Sequence, residues 1–389
     1  MRHIKKLLLI NIILIVTTFL SGCSRNKGIA AEYGTPYRAF REYAVNDKDH
    51  LYQFREQGRV NTPGGGLLSY VNKGSGDWQI LCWRPGCLHA TEDCPAYYNA
   101  GHRLLNATLD GRIRVLEFKK KGHQLVIWEV NTHKSTKNRI ASYDLDQLSD
   151  GKGTEYISTL DFCEYQGILY LIFPSTYIGE KGSRITTTWL IRINLETLDT
   201  EESICLQDMQ FPESFPVIHK ILLIEENKLY IVLADREIGE EGAPSPELRL
   251  YSFDLDTRTL EDTGFAPEDD AFYCLIGHQV FYREPLGDGM YSLIREDLYT
   301  GEKQAILEMP DGAIFANEEQ YLGYVSITYR EAGETIPYPY MIDLNTAEKY
   351  KLWVPGSKVY VSYANEYAAY YEILENPATF TLGIEKVSP

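Results

Sequence analysis

Beyond residue 36 the apolar positions come in short runs instead of at helical spacing. Runs rich in Tyr, Ile, Val and Leu are bounded by Gly, Asp, Asn and Pro, the pattern of strands and turns. One segment type returns along the chain: Ser142-Tyr143-Asp144-Leu145-Asp146, Ile193-Asn194-Leu195-Glu196-Thr197, Phe253-Asp254-Leu255-Asp256-Thr257, Glu296-Asp297-Leu298-Tyr299-Thr300-Gly301 and Ile342-Asp343-Leu344-Asn345-Thr346. Each reads as a strand ending in an Asx residue that bonds its own backbone and turns into a hairpin. Upstream of each lies a second apolar strand, at 125–130, 168–173, 228–232, 279–283 and 321–325.

Self-similarity at roughly 40–50 residues with all-β content is the signature of propeller blades. A lone four-stranded blade cannot bury both faces, so neighbours must stack. The chain divides into segments near 46–82, 103–150, 155–206, 217–263, 268–308, 311–353 and 356–386. The expected fold is therefore an all-β, seven-bladed β-propeller, with six or eight blades as alternatives. A candidate strand at 37–45 would complete the short last blade from the N-terminus. Loops at 177–184 and 236–246 are expected to project from one end of the ring. A pair of β-sandwiches also uses short strands at regular spacing, but the repeat runs on without a linker, which favours one domain over 36–389.

The N-terminus carries a different pattern. Arg2, Lys5 and Lys6 precede an apolar run at 7–20, too short for a membrane span of roughly 20 residues and suited to a signal-peptide core. It closes on Leu20-Ser21-Gly22-Cys23, which resembles a bacterial lipobox. The resemblance implies cleavage before Cys23 and a diacylglycerol on its sulfur. The expected organisation is a signal peptide over 1–22, a lipidated N-terminus and tether over 23–35, and the propeller beyond. A two-chain anchor holds a protein stably at a membrane, so the expected location is the extracytoplasmic face of the cell membrane.

One constellation carries chemistry. Residues 82–94 read Cys82-x4-Cys87-x-His89-x4-Cys94, with Pro85-Gly86 as a turn between the first two thiols. Three thiolates and an imidazole suit a borderline-soft ion such as zinc, and four protein ligands leave no open coordination position. The expected cofactor is one structural zinc ion. Disulfide pairing is the competing reading, since thiols outside the cytoplasm oxidise and Cys163, Cys205 and Cys274 bring the count without Cys23 to six.

This loop, after a lipobox and ahead of propeller-like repeats, resembles a group of β-propeller lipoproteins of Gram-positive anaerobes. The resemblance rests on the lipobox and on Cys82, Cys87, His89 and Cys94 with the following Pro95-Ala96-Tyr97. It supports the fold and the address and implies no activity.

Composition narrows the partners. With 38 Lys and Arg against 55 Asp and Glu the formal charge is -17, a surface that repels phosphate backbones and argues against nucleic acid. The pair Asp144-x-Asp146 lacks the spacing of an EF-hand. Pro63-Gly64-Gly65-Gly66 precedes a strand, which removes the phosphate-cradle reading. No nucleophile elbow or zinc-protease motif is present. His50, His102, His123, His133, His219 and His278 are scattered. The leading functional expectation is a non-catalytic binding or scaffold module for a protein or glycan. The alternatives are a cell-surface glycan-active lyase or hydrolase, and a partner in envelope assembly or sensing.

Overall fold

In the strand Ile168–Ile178 successive side chains point to opposite faces, and both faces are apolar. Leu169, Leu171 and Phe173 pack to one side, Tyr170 and Ile172 to the other. A sheet apolar on both faces must be covered on both, and stacking sheet on sheet does this.

The computed structural model describes the strands and part of their connections between residues 45 and 385. Residues 1–44 and 386–389 lie outside the described residues, as do several stretches between strands, chiefly 57–65, 73–77, 207–216, 235–247, 316–323, 330–337 and 352–358. Seven antiparallel sheets are formed among the described residues. The first holds β1 (Val45–Asn46), β2 (His50–Glu56), β3 (Gly66–Asn72), β4 (Trp78–Ile80) and β5 (Tyr97–Tyr98). The second holds β6 (His102–Ala107), β7 (Arg112–Lys119), β8 (Gln124–Asn131) and β9 (Thr136–Asp144), followed by the short helix α1 (Leu145–Leu148). The third holds β10 (Tyr156–Ile157), β11 (Asp161–Tyr165), β12 (Ile168–Ile178), β13 (Arg184–Asn194) and β14 (Thr200–Cys205). Four more sheets lie within 217–262, 273–310, 314–351 and 359–385, and the last has three described strands.

Strand order follows chain order, apart from the split strands of the first and third sheets. First strands of successive sheets lie against one another: β1 on β6, β6 on β11, and β11 on Val217–Glu225, which in turn meets Tyr273–Ile276. Among the described residues, apolar clusters fill the spaces between consecutive sheets from the first to the sixth. Leu68 faces Ile113 and Val115, Leu125 and Ile127 face Leu169 and Phe173, and Ile172 faces Leu229 and Ile231. Val232 then faces Val280, and Phe281 faces Ile327 and Tyr340. This is the expected seven-bladed β-propeller, and the sheet limits follow the expected segments to within a few residues at most ends.

The Asx turn recurs at the hairpin between third and fourth strands. Asn194 Oδ1 accepts the N–H groups of Glu196 and Thr197, Asp254 those of Asp256 and Thr257, and Asp297 those of Tyr299 and Thr300. Asp343 accepts that of Thr346. The residue four positions on is left-handed each time: Leu198 (φ 64°), Arg258 (φ 61°), Gly301 (φ 69°) and Ala347 (φ 61°). Each donates its N–H back to the Asx carbonyl at 2.7–2.9 Å.

Asp144 departs from the expectation. It ends the fourth strand of its sheet, and its carboxylate accepts the Asp146 N–H as the N-cap of α1. The equivalent hairpin residue in the second sheet is Asn131, whose side chain accepts the Lys134 N–H ahead of left-handed Ser135 (φ 50°). Of the expected strand at 37–45, Val45 belongs to the first sheet, paired with Tyr52, and 37–44 lie outside the described residues. Of the expected loops, 179–183 and 236–246 lie outside the described residues; the strands that flank them are the second and third of adjacent sheets, so those strand ends lie at the same end of the ring.

Leu169 is fully buried between the second and third sheets. Leu169→Ala is expected to cost about 2–5 kcal/mol, the range for a truncated core leucine, read as a lower denaturant midpoint. A cost under about 1 kcal/mol would mean that these sheets do not stack tightly there.

Candidate metal centre

The Cys/His loop is an excursion in the outermost strand of the first sheet. β4 pairs with β3 as far as Ile80 opposite Ser69, and β5 resumes the pairing at Tyr97 opposite Leu67. Leu68 stands at the break and holds both ends. Its N–H donates to the Ala96 carbonyl at 2.7 Å, and its carbonyl accepts the Leu81 N–H at 2.9 Å. Leu68, Leu81 and Ala96 are buried. The expected position, on the link leaving the first blade, is thus refined: the chain returns to the same strand edge before leaving.

Two tight turns shape the loop. The Cys87 N–H donates to the Arg84 carbonyl at 3.2 Å, with Gly86 left-handed (φ 71°) as the Pro-Gly pair requires. The Cys94 N–H donates to the Thr91 carbonyl at 3.0 Å. Arg84 Nη1 donates to the Asp93 carbonyl and ties the halves together. His89 sits at φ 53°, a conformation costly for a residue with a Cβ and one that clusters at functional sites.

The result is convergence. One ligating atom from each of Cys82, Cys87, His89 and Cys94 lies within 4.8 Å of all the others, and His89 Nδ1 is 3.3 Å from Cys94 Sγ. A tetrahedral centre with Zn–S of about 2.3 Å and Zn–N of about 2.0–2.1 Å sets its ligand atoms about 3.5–3.8 Å apart, so only small adjustments are needed. The group can hold a metal ion. Its sulfurs are also prepared: the His89 N–H bonds to the Cys87 sulfur and the Ala96 N–H to that of Cys94. Such donors favour thiolate over thiol. The His89 N–H, aided by the neighbouring thiols and Arg84, holds the Cys87 thiol below its ordinary value. Burial pushes the Cys94 thiol up to about 12, against the pull of the Ala96 N–H.

The loop leans on the second sheet. The Trp83 N–H donates to Ser135 Oγ at 3.3 Å in the β8–β9 turn. Lys137 of β9 donates to the Tyr97 carbonyl at 2.9 Å, with its ammonium 4.4 Å from the Tyr98 ring centroid and 5.1 Å from that of Trp128. Trp128 Nε1 donates to buried Glu117 at 2.8 Å. Burial lowers the Lys137 pKa, opposed by Glu117, Glu92 and Cys94. Sequence reading missed Lys137, Glu117, Tyr98 and Trp128. The one local signal was a carboxylate, Glu117, inside the otherwise apolar stretch 115–118.

Cys82, Cys87 and Cys94 are free thiols in the structure. Cys163 lies on β11 and Cys205 on β14, with β12 and β13 between them. At about 4.8 Å per strand that is roughly 14 Å, beyond the ~7 Å Cα limit of a disulfide. Cys274 lies in the fifth sheet. Cys23 lies outside the described residues. His123 and His278 pair with Asp146 and Asp297 at 3.0 and 2.8 Å in turns.

No family model matches the chain, and no curated protein does. Solved structures are similar to it in fold. An acylaminoacyl peptidase of Pyrococcus horikoshii is 12% identical with a TM-score of 0.52 over 92% of this chain and 52% of its own. A puromycin hydrolase variant is 11% identical with a TM-score of 0.51 over 90% of this chain and 52% of its own. The chain thus spans about half the length of each. The β-propeller domain of the Trilobed protease from Pyrococcus furiosus is 12% identical with a TM-score of 0.49, covering 92% of this chain and 98% of that domain.

In the metal-free chain the thiols should differ in reactivity. The thiolate is the nucleophile, so at pH 8 iodoacetamide is expected to label Cys87 first and Cys94, protonated and buried, last. Peptide mass spectrometry reads the order. Labelling of Cys94 ahead of Cys87 would contradict the loop geometry.

Proposed function

We propose that the chain is a lipid-anchored, extracytoplasmic β-propeller acting as a non-catalytic binding or scaffold module for a protein or glycan, with a zinc ion as a structural part. The observation that carries the zinc assignment is the convergence of three thiols and one imidazole within 4.8 Å. Four protein ligands close a tetrahedral zinc and leave no position for substrate. The lipid anchor rests on the sequence around Cys23.

The end of the ring that carries the hairpins between second and third strands supports a binding role. The β12–β13 hairpin runs in register from Ile168–Asn194 out to Ile178–Arg184, and Ile178 near its tip is 58% exposed. Leu286, at the equivalent hairpin of the fifth sheet, is 52% exposed. Exposed apolar side chains on projecting hairpins suit contact with a partner surface.

Native mass spectrometry of the full chain, purified without reductant or added metal, is expected to show one zinc per chain. His89→Ala should lose the ion and lower the stability of the first sheet. A metal-free mass short by two protons per bridge would make the loop a disulfide staple instead. If His89→Ala kept its stability but lost a measured turnover, the structural role would be wrong. Turnover of a polysaccharide in a broad screen would replace the binding reading with the glycan-active enzyme. For the anchor, an alkyne-tagged fatty acid supplied to expressing cells should label the wild-type chain and not Cys23→Ser; equal labelling of both would remove the anchor.

A further inference from the structure

The four candidate ligands all belong to the first sheet, but a half-buried cation beside them comes from the second. The Lys137 ammonium has one described hydrogen bond, to the Tyr97 carbonyl, and lies between the faces of Tyr98 and Trp128. None of the described ion pairs includes it. Of the two carboxylates that act on it, Glu92 is exposed and screened by water, and buried Glu117 is engaged by Trp128 Nε1 and lies 3.8 Å from Lys119. A partly desolvated ammonium held mainly by a carbonyl and two rings is costly to keep unless another negative charge offsets it.

A loaded metal centre supplies that charge. Three thiolates, a neutral imidazole and a divalent ion sum to a net charge of about −1, placed where Cys94 is buried at the junction of two sheets. Arg84 on the loop is also cationic, but it is exposed and its effect is screened by water.

We propose that Lys137 is the counter-charge of the metal centre, the first sheet supplying the ligands and the second the balancing cation, so that metal loading strengthens the contact between the two sheets. This rests on the metal reading above. Lys137 touches no metal; it is a positioning and charge-balancing residue.

The test compares the full wild-type chain with Lys137→Met and Lys137→Arg, each stripped by chelator and titrated with zinc. Zinc affinity is read by competition with a chromophoric chelator, and Tm is read before and after loading. Lys137→Met is expected to bind zinc about tenfold more weakly or worse, the range for outer partners of a metal site. Its zinc-induced rise in Tm should shrink, while its metal-free Tm stays equal to wild type or rises. Lys137→Arg should recover most of the affinity. Cobalt in place of zinc should give the same visible spectrum in wild type and Lys137→Met, since the ligands are unchanged.

Equal zinc affinity in wild type and Lys137→Met would overturn the proposal, as would an equal fall in metal-free and loaded Tm, the mark of packing alone. If the wild-type chain takes up no zinc, the metal reading itself falls, and this proposal with it. Should Lys137→Met not fold, Lys137→Gln carries the same comparison.

Discussion

The constraint on which the rest depends is that the strands are apolar on both faces. A fully buried leucine or phenylalanine contributes about 1.5–3 kcal/mol relative to exposure, and β12 alone directs Leu169, Leu171 and Phe173 one way and Tyr170 and Ile172 the other. A sheet built on such a strand cannot satisfy both faces alone. Each must lie between two others, and a succession of such sheets leads to a ring. The uninterrupted apolar run at 168–173, which would be odd in a half-exposed sheet, follows directly.

A ring of radial sheets packs tightly near its axis and spreads toward the rim, so the outer junctions need help. Side chains and turns provide it at equivalent places. Tyr143 on the last strand of the second sheet donates to the carbonyl of left-handed Leu198 in the third at 2.8 Å. Glu202 on the last strand of the third sheet pairs with left-handed Arg258 in the fourth at 2.6 Å. Trp83, on the loop interrupting the last strand of the first sheet, donates to left-handed Ser135 in the second. The Cys/His loop therefore occupies the first sheet's version of a contact that recurs around the ring. It differs in that its four candidate ligand atoms converge on one point, which places the chemistry of the loop at the junction.

Much of this was legible along the chain. Blade limits followed from runs of apolar residues punctuated by Asx and glycine, because hairpins are local and their turn residues are chosen by backbone geometry. Four of the five expected Asx turns formed at Asn194, Asp254, Asp297 and Asp343. The fifth failed instructively: Asp144 and Asn131 offer similar side chains, and choosing between them requires knowing which strand each one ends. The ligand set was legible for a related reason, since Cys82, Cys87, His89 and Cys94 are close in sequence and the Pro-Gly turn between them is local.

What sequence alone determined, then, was everything carried by neighbours along the chain: strand periodicity, turn chemistry, the repeat, and the spacing of three thiols and an imidazole. Tertiary structure decided what lies across a junction. It split the outer strand of the first sheet around Leu68, turned Asp144 into a helix cap, and brought Lys137, Trp128 and Glu117 of the second sheet beside a loop some 40 residues earlier. Those contacts depend on the stacking of whole sheets, a collective consequence of apolar faces that no single stretch of residues spells out.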